Sequence, residues 1–173
     1  MKGITNLLVV IALFSEPSFS QEKFNKNDFV VGSVSIDKQI DSVLESIGKP
    51  ARIDTIDVFD TADFLVYYFD GLTAWVEKSS HLISSFDISN QKFKTQRGLK
   101  VRDSTAKLRK LYGRGNTEKQ LNRLYDIYDV SFKDFTEIVL YEYDPSENDA
   151  LYIVFYVKNS RITKIYLYRG LGC

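Results

Sequence analysis

The feature that most constrains this chain is an internal duplication. One stretch reads Gly32-Ser-Val-Ser-Ile-Asp-Lys-Gln-Ile-Asp-Ser-Val-Leu-Glu-Ser-Ile-Gly48-Lys-Pro50, and a later one reads Gly98-Leu-Lys-Val-Arg-Asp-Ser-Thr-Ala-Lys-Leu-Arg-Lys-Leu-Tyr-Gly113. Each is a glycine, a short extended lead-in, a helix of three turns and a glycine stop. Aromatic strand-like runs follow both, and Tyr67-Tyr-Phe-Asp70 matches Tyr141-Glu-Tyr-Asp144. A unit used twice points to a scaffold that offers a broad surface rather than to a reaction.

In the first unit Ile36, Ile40, Val43, Leu44 and Ile47 form one apolar stripe, which predicts a helix over 37–47 ended by Gly48 and Pro50. Strands are expected at 64–69, 72–77 and 82–88, with Asp70-Gly71 as a two-residue hairpin signal. The second unit predicts a helix over 104–112, capped by Asp103 or Ser104 and stopped by Gly113. A further helix is expected over 118–128, where Leu121, Leu124, Tyr125 and Tyr128 recur at helical spacing. Strands are then expected at 137–143, 150–157 and 162–168. The fold class read from this order is α+β: two tandem helix-then-antiparallel-sheet repeats, at 32–90 and 97–170, with the sheets joined and the helices on one face. Two separate small sheets are the alternative.

Residues 1–20 read as an export signal rather than as part of the fold. Lys2 supplies the positive start, Ile4 to Phe14 is apolar but short for a membrane span, and Ser18-Phe19-Ser20 favours cleavage before Gln21. Residues 21–31 form a lead-in, polar over 21–28. The absence of cysteine near the cleavage site excludes a lipid anchor on a new N-terminal cysteine, and no other apolar segment has membrane length. The expectation is a periplasmic or secreted bacterial protein without a transmembrane anchor after cleavage. With one cysteine, Cys173, an internal disulfide is impossible; that thiol is either free or bonded to another molecule. Stability must therefore come from packing, for which 44% hydrophobic and 14% aromatic residues suffice.

Net charge is zero but unevenly spread: residues 96–123 carry a net +7 and residues 124–149 a net −7. The two blocks are read as facing each other or lying on opposite solvated faces. The competing reading is a basic helical surface for an anionic partner. Nucleic acid is not expected, since no nucleic-acid motif accompanies the charge.

The lead-ins ending Ser-Ile-Asp37 and Val-Arg-Asp103, the helices, the stops at Gly48, Pro50 and Gly113, and the aromatic strands together resemble a family of small exported bacterial modules. These are the beta-lactamase-inhibitor-protein-like modules and the related SmpA/OmlA-type outer-membrane assembly modules. The resemblance covers roughly 32–168 as pattern rather than identity. It implies a unit of a helical pair plus a three- or four-stranded antiparallel sheet. In the tandem form it implies a concave sheet that grips a protein. The chain lacks the disulfides usual in the tandem inhibitors and the lipidated cysteine usual in the assembly modules.

Alternation along the strands carries the functional reading. Leu151, Ile153, Phe155 and Val157 share one face of their strand and Tyr152, Val154 and Tyr156 the other. Ile165 and Leu167 oppose Lys164, Tyr166 and Tyr168, and Leu72, Ala74 and Val76 oppose Thr73, Trp75 and Glu77. Val139, Tyr141 and Tyr143 share a face. An aliphatic face on the helices would leave an aromatic face opposite. The expected binding surface is Trp75, Tyr141, Tyr143, Tyr152, Tyr156, Tyr166 and Tyr168, because aromatic residues with polar tips suit recognition. Ordinary cross-strand tyrosine pairing on a solvated face is the competing reading, and a homodimer burying this face is a third.

No catalytic residue, metal ligand set or cofactor motif is expected. Asp54, Asp57, Asp60 and Asp63 recur every third residue, which matches no calcium loop and reads as a solvated acidic loop. His81 is the one histidine, beside a turn, and neither a nucleophile elbow nor a phosphate-cradling glycine loop is present. The expected function is an exported non-enzymatic protein that engages a protein partner in the cell envelope or outside the cell. The alternatives are a small-ligand or envelope-glycan binder and, further off, a carboxylate-based hydrolase.

Overall fold

A computed structural model describes residues 24–58, 62–115, 137–143 and 150–170. A single turn of 3-10 helix at Lys26–Asp28 leads into a small ribbon of β1 (Val30–Val31) and β2 (Val34–Ser35). Helix α1 (Ile40–Ile47) follows, then β3 (Arg52–Val58), β4 (Ala62–Phe69), β5 (Leu72–Glu77) and β6 (Ile83–Ile88). After helix α2 (Thr105–Tyr112) come β7 (Glu137–Tyr143), β8 (Leu151–Lys158) and β9 (Arg161–Arg169).

The strands β3 to β9 make one antiparallel sheet of seven, in the order β3-β4-β5-β6-β9-β8-β7. The seam is β6 on β9, with Ser85 opposite Tyr168, Phe86 opposite Leu167, Asp87 opposite Tyr166 and Ile88 opposite Ile165. The expected α+β layout of two helix-then-sheet repeats is overturned: strands dominate, each α-helix has eight residues, and the two halves give four and three strands to one sheet.

The extra strand is β3, within the run read as an acidic loop. Its seven residues pair in full register with β4, from Arg52 opposite Tyr68 to Val58 opposite Ala62. Aspartates every third residue hid it, because period three obscures the alternation of a strand. Asp54 and Asp57 fall on opposite faces, as that spacing requires on extended backbone. Helix α1 starts three residues later than expected because Asp37 takes a positive φ of 72° and Gln39 is the N-cap. Helix α2 starts where Ser104 accepts from the Lys107 amide at 3.2 Å. The expected helix over 118–128, the export signal and Cys173 lie outside the described residues.

Both helices hang on the sheet through the same backbone contacts. The Asp37 amide donates to the Ile83 carbonyl at 3.0 Å, and the Arg102 amide to the Ile162 carbonyl at 2.7 Å. Ile40 donates to His81 and Thr105 to Ser160, each at 3.1 Å. Gln39 bridges Leu82 as Ser104 bridges Arg161. The helix stops correspond as well: the Gly48 amide donates to the Leu44 carbonyl at 3.0 Å and the Gly113 amide to the Arg109 carbonyl at 2.9 Å. Asn159 and Ser160 turn β8 into β9 with φ of 51° and 57°, the double left-handed conformation that matches strand twist in a tight hairpin.

The main core lies on one face of the sheet. Ile40 and Val43 of α1 and Leu108 and Tyr112 of α2 pack there with Phe29, Phe86, Phe155, Ile165 and Leu167. A buried ion pair closes this layer: Asp28, 3% exposed, holds Arg97 through two side-chain bonds. Arg97 also donates to the Leu111 carbonyl at 2.8 Å and lies 5.0 Å from the centre of the Tyr112 ring.

Candidate functional site

The other face of the sheet is set by the register alone. Opposed residues of antiparallel neighbours point the same way, so Asp54, Val66, Trp75, Ser85, Tyr168, Tyr152 and Glu142 form one row across all seven strands. A second row runs Arg52, Tyr68, Thr73, Asp87, Tyr166, Val154, Leu140. This face therefore gathers Trp75, Tyr152, Tyr156, Tyr166 and Tyr168 of the seven residues predicted from sequence. It does not include Tyr141 and Tyr143.

Tyr141 is 6% exposed and packs in the helix-side core against Phe24, Tyr112 and Phe155, with ring centres 5.3–5.9 Å apart. Tyr143 packs against the same core. Their strand β7 alternates the other way: Glu142, Leu140 and Ile138 face the tyrosines of β8. Assigning the aromatic members of β7 to the aromatic face ignored the fact that a core of this size needs rings too. Burial pushes the Tyr141 hydroxyl up to about 12, and it donates to the Gly113 carbonyl at 2.7 Å. Tyr112 is raised as well, first by burial, and donates to Thr95 Oγ1 at 2.8 Å.

The two halves of the outer face differ. Across β7–β9, Ile138, Leu140, Val154, Tyr156 and Tyr168 form a second buried cluster, with Tyr152 and Tyr166 packed against it. Tyr152 stacks on Tyr168 at 4.8 Å and Tyr166 on Tyr168 at 5.2 Å, interplanar angles 16° and 24°. Tyr152 donates to Glu142 at 3.1 Å and Tyr166 to Ser85 at 3.3 Å. These rings support one another. Across β3–β5, half-exposed Trp75 meets half-exposed Phe64 edge-on at 6.1 Å, and the Arg52 guanidinium sits 4.2 Å above the Tyr68 ring. Sequence reading missed Phe64, Tyr68 and Arg52. The signal was present in the alternation of β4, but the flanking odd positions Leu65, Tyr67 and Phe69 are apolar too, so parity alone did not pick a face.

Between the halves, Asp87 pairs with Lys164 at 2.5 Å. Burial raises the Asp87 carboxyl above the usual carboxylate range, opposed by Lys164. His81 is exposed in the β5–β6 turn with φ 58°. Among the described residues no three His, Cys, Asp or Glu side chains cluster as a metal site would need, and no helix is long and apolar enough to cross a membrane. Of the two charge blocks, most of the acidic one lies outside the described residues; Arg109 and Glu137 join them at 3.0 Å.

No family model matches the chain, and no curated protein does. Among solved structures, it is similar to an extracellular protein containing an SCP domain from Bacillus anthracis str. Ames. The identity is 11% and the TM-score 0.46, over 77% of this chain and 43% of that one. This chain thus spans less than half of that protein's length, and the likeness is too loose to assign a fold.

Proposed function

We propose that this is an exported, non-enzymatic binding protein that engages a protein partner through the outer aromatic face of its sheet. The observation that carries the reading is Trp75: a half-exposed tryptophan mid-sheet, in a cross-strand row on the face away from the helices. Phe64 meets it edge-on, and Tyr68 with the Arg52 cation lies in the neighbouring row of the same face. That composition suits protein recognition, where aromatic side chains and arginine dominate binding energy. Rigid strands hold these groups, so little ordering is needed on binding. Tyr152 and Tyr166 extend the surface beyond the seam. The resemblance to inhibitor-like and assembly modules rests on sequence pattern and agrees with a gripping role.

Trp75 is the sole tryptophan, so its fluorescence reports on this face directly. The test is capture from an envelope fraction, followed by titration of the purified captured protein while Trp75 emission is recorded. A saturable emission change, lost partners for Trp75→Ala with Tyr166→Ala, and native circular dichroism for that variant are expected. Binding that leaves Trp75 emission unmoved and survives the double substitution would sink the reading. An envelope glycan is the second reading, favoured by the half-buried indole beside Glu77 and Ser85. A saturable emission change with oligosaccharide and none with protein would select it.

A further inference from the structure

We infer that the junction between α2 and β9 is an anion-binding cleft that takes a phosphate-type oxyanion. It lies on the helix-bearing side and does not depend on the aromatic face. A cleft of about 450 Å3 is lined by Gln91, Lys100, Val101, Arg102, Asp103 and Arg161. Its one carboxylate is already engaged: Asp103 Oδ2 meets Lys107 Nζ at 2.7 Å and accepts from the Lys100 amide at 2.9 Å. The cleft therefore keeps the charge of Lys100, Arg102 and Arg161.

The guanidinium groups are held in place. Arg161 Nη1 donates to the Arg102 carbonyl at 3.1 Å. With its amide oxygen turned toward Arg102, Gln91 accepts from Arg102 Nη1 at 3.3 Å and Nε at 3.2 Å. Each arginine has further N–H donors beyond these, and anchored guanidinium groups recognise tetrahedral oxyanions in a fixed geometry.

The first junction is an internal control. Asp37 and Arg102 occupy equivalent positions with φ of 72° and 73°, and their amides make equivalent bonds to Ile83 and Ile162. Leu82 stands where Arg161 does, bridged to the helix N-cap in each case, and Ser35 lies at the position matching Lys100. Aspartate tolerates the left-handed conformation; arginine does not favour it. At the first junction Asp37 is closed off by an ion pair with Arg169. At the second, the chain holds an unfavourable arginine and adds two more cations around an open cleft. A strained non-glycine residue that persists beside gathered charge is the arrangement found where strain serves binding.

The test is amide NMR of the whole protein titrated with inorganic phosphate, against chloride at matched ionic strength. Saturable shifts confined to 100–104 and 161–162 are expected. Arg102→Asp with Arg161→Leu installs the residues of the first junction, which folds with them, and should weaken phosphate binding by about tenfold or more. Arg102→Gly relieves the φ strain and removes one cation; it should stay folded and bind more weakly. Two arms separate the sources: glycerol phosphate in solution, and phosphatidylglycerol vesicles against phosphatidylcholine vesicles. Binding in either arm assigns the source. Shifts no larger than those from chloride, or undiminished phosphate binding in folded Arg102→Gly, would overturn the inference.

Discussion

At the scale of single residues, every buried side-chain polar atom among the described residues has a hydrogen-bond partner, and the cost of removing one is testable. Tyr141→Phe deletes the donor to Gly113 and leaves a buried carbonyl without it; about 1–2 kcal/mol of stability should be lost, read from the denaturant midpoint. The folded Tyr141 pKa is raised from 10 to about 12. The stability linked to its protonated form is therefore present below pH 10 and lost as pH rises toward 12. Tyr141→Phe should flatten that part of the alkaline stability profile. Asp28→Ala should cost about 3–5 kcal/mol, because it strands Arg97 where its side chain is only 13% exposed. Converting Arg97→Met in the same chain should recover part of that loss. Asp87 behaves in the opposite sense to most carboxylates. Its folded pKa is raised by burial, so folding favours the protonated form, and its contribution falls as pH rises from the unfolded value through the folded one. Asp87→Asn should accordingly gain stability relative to the parent between acid and neutral pH. A relative loss over that interval would mean the Lys164 pair outweighs desolvation.

At the scale of elements, position in the sheet decides what a strand must contain. β3 is an edge strand, and its charges Arg52, Asp54 and Asp57 are what keep an exposed edge from pairing indiscriminately. Those charges also made it unreadable as a strand. Ile53 on this edge is 51% exposed, and Ile53→Ala should change stability by no more than about 0.5 kcal/mol. Ile165 at the seam is fully buried opposite Ile88, and Ile165→Ala should cost about 2–5 kcal/mol. Equal costs at the two sites, measured by the same denaturant titration, would contradict the assigned strand order. The helices were legible because Gly48 and Gly113, with φ of 99° and 78°, are stops that other residues meet only with strain.

At the scale of the whole molecule, the halves are one folding unit. β6 and β9 pair across the seam, and residues of both halves share the main core. Separate chains ending and starting at the 96–97 boundary should each fail to fold alone, with collapsed amide NMR dispersion; two independently dispersed spectra would show two domains instead. By itself the sequence determined the helix stops, six of the seven strands of the main sheet, the tight turns and the absence of an internal disulfide. These are local properties, written in backbone sterics, period-two alternation and residue count. Tertiary structure alone decided the strand order, the seam, the inclusion of β3 and the face to which each ring belongs. Alternation shows that Tyr141 and Leu140 point opposite ways, but not which way the helices lie. That choice is made by packing, when the helix-side core takes Tyr141 and Tyr143 and leaves Trp75 on the other side.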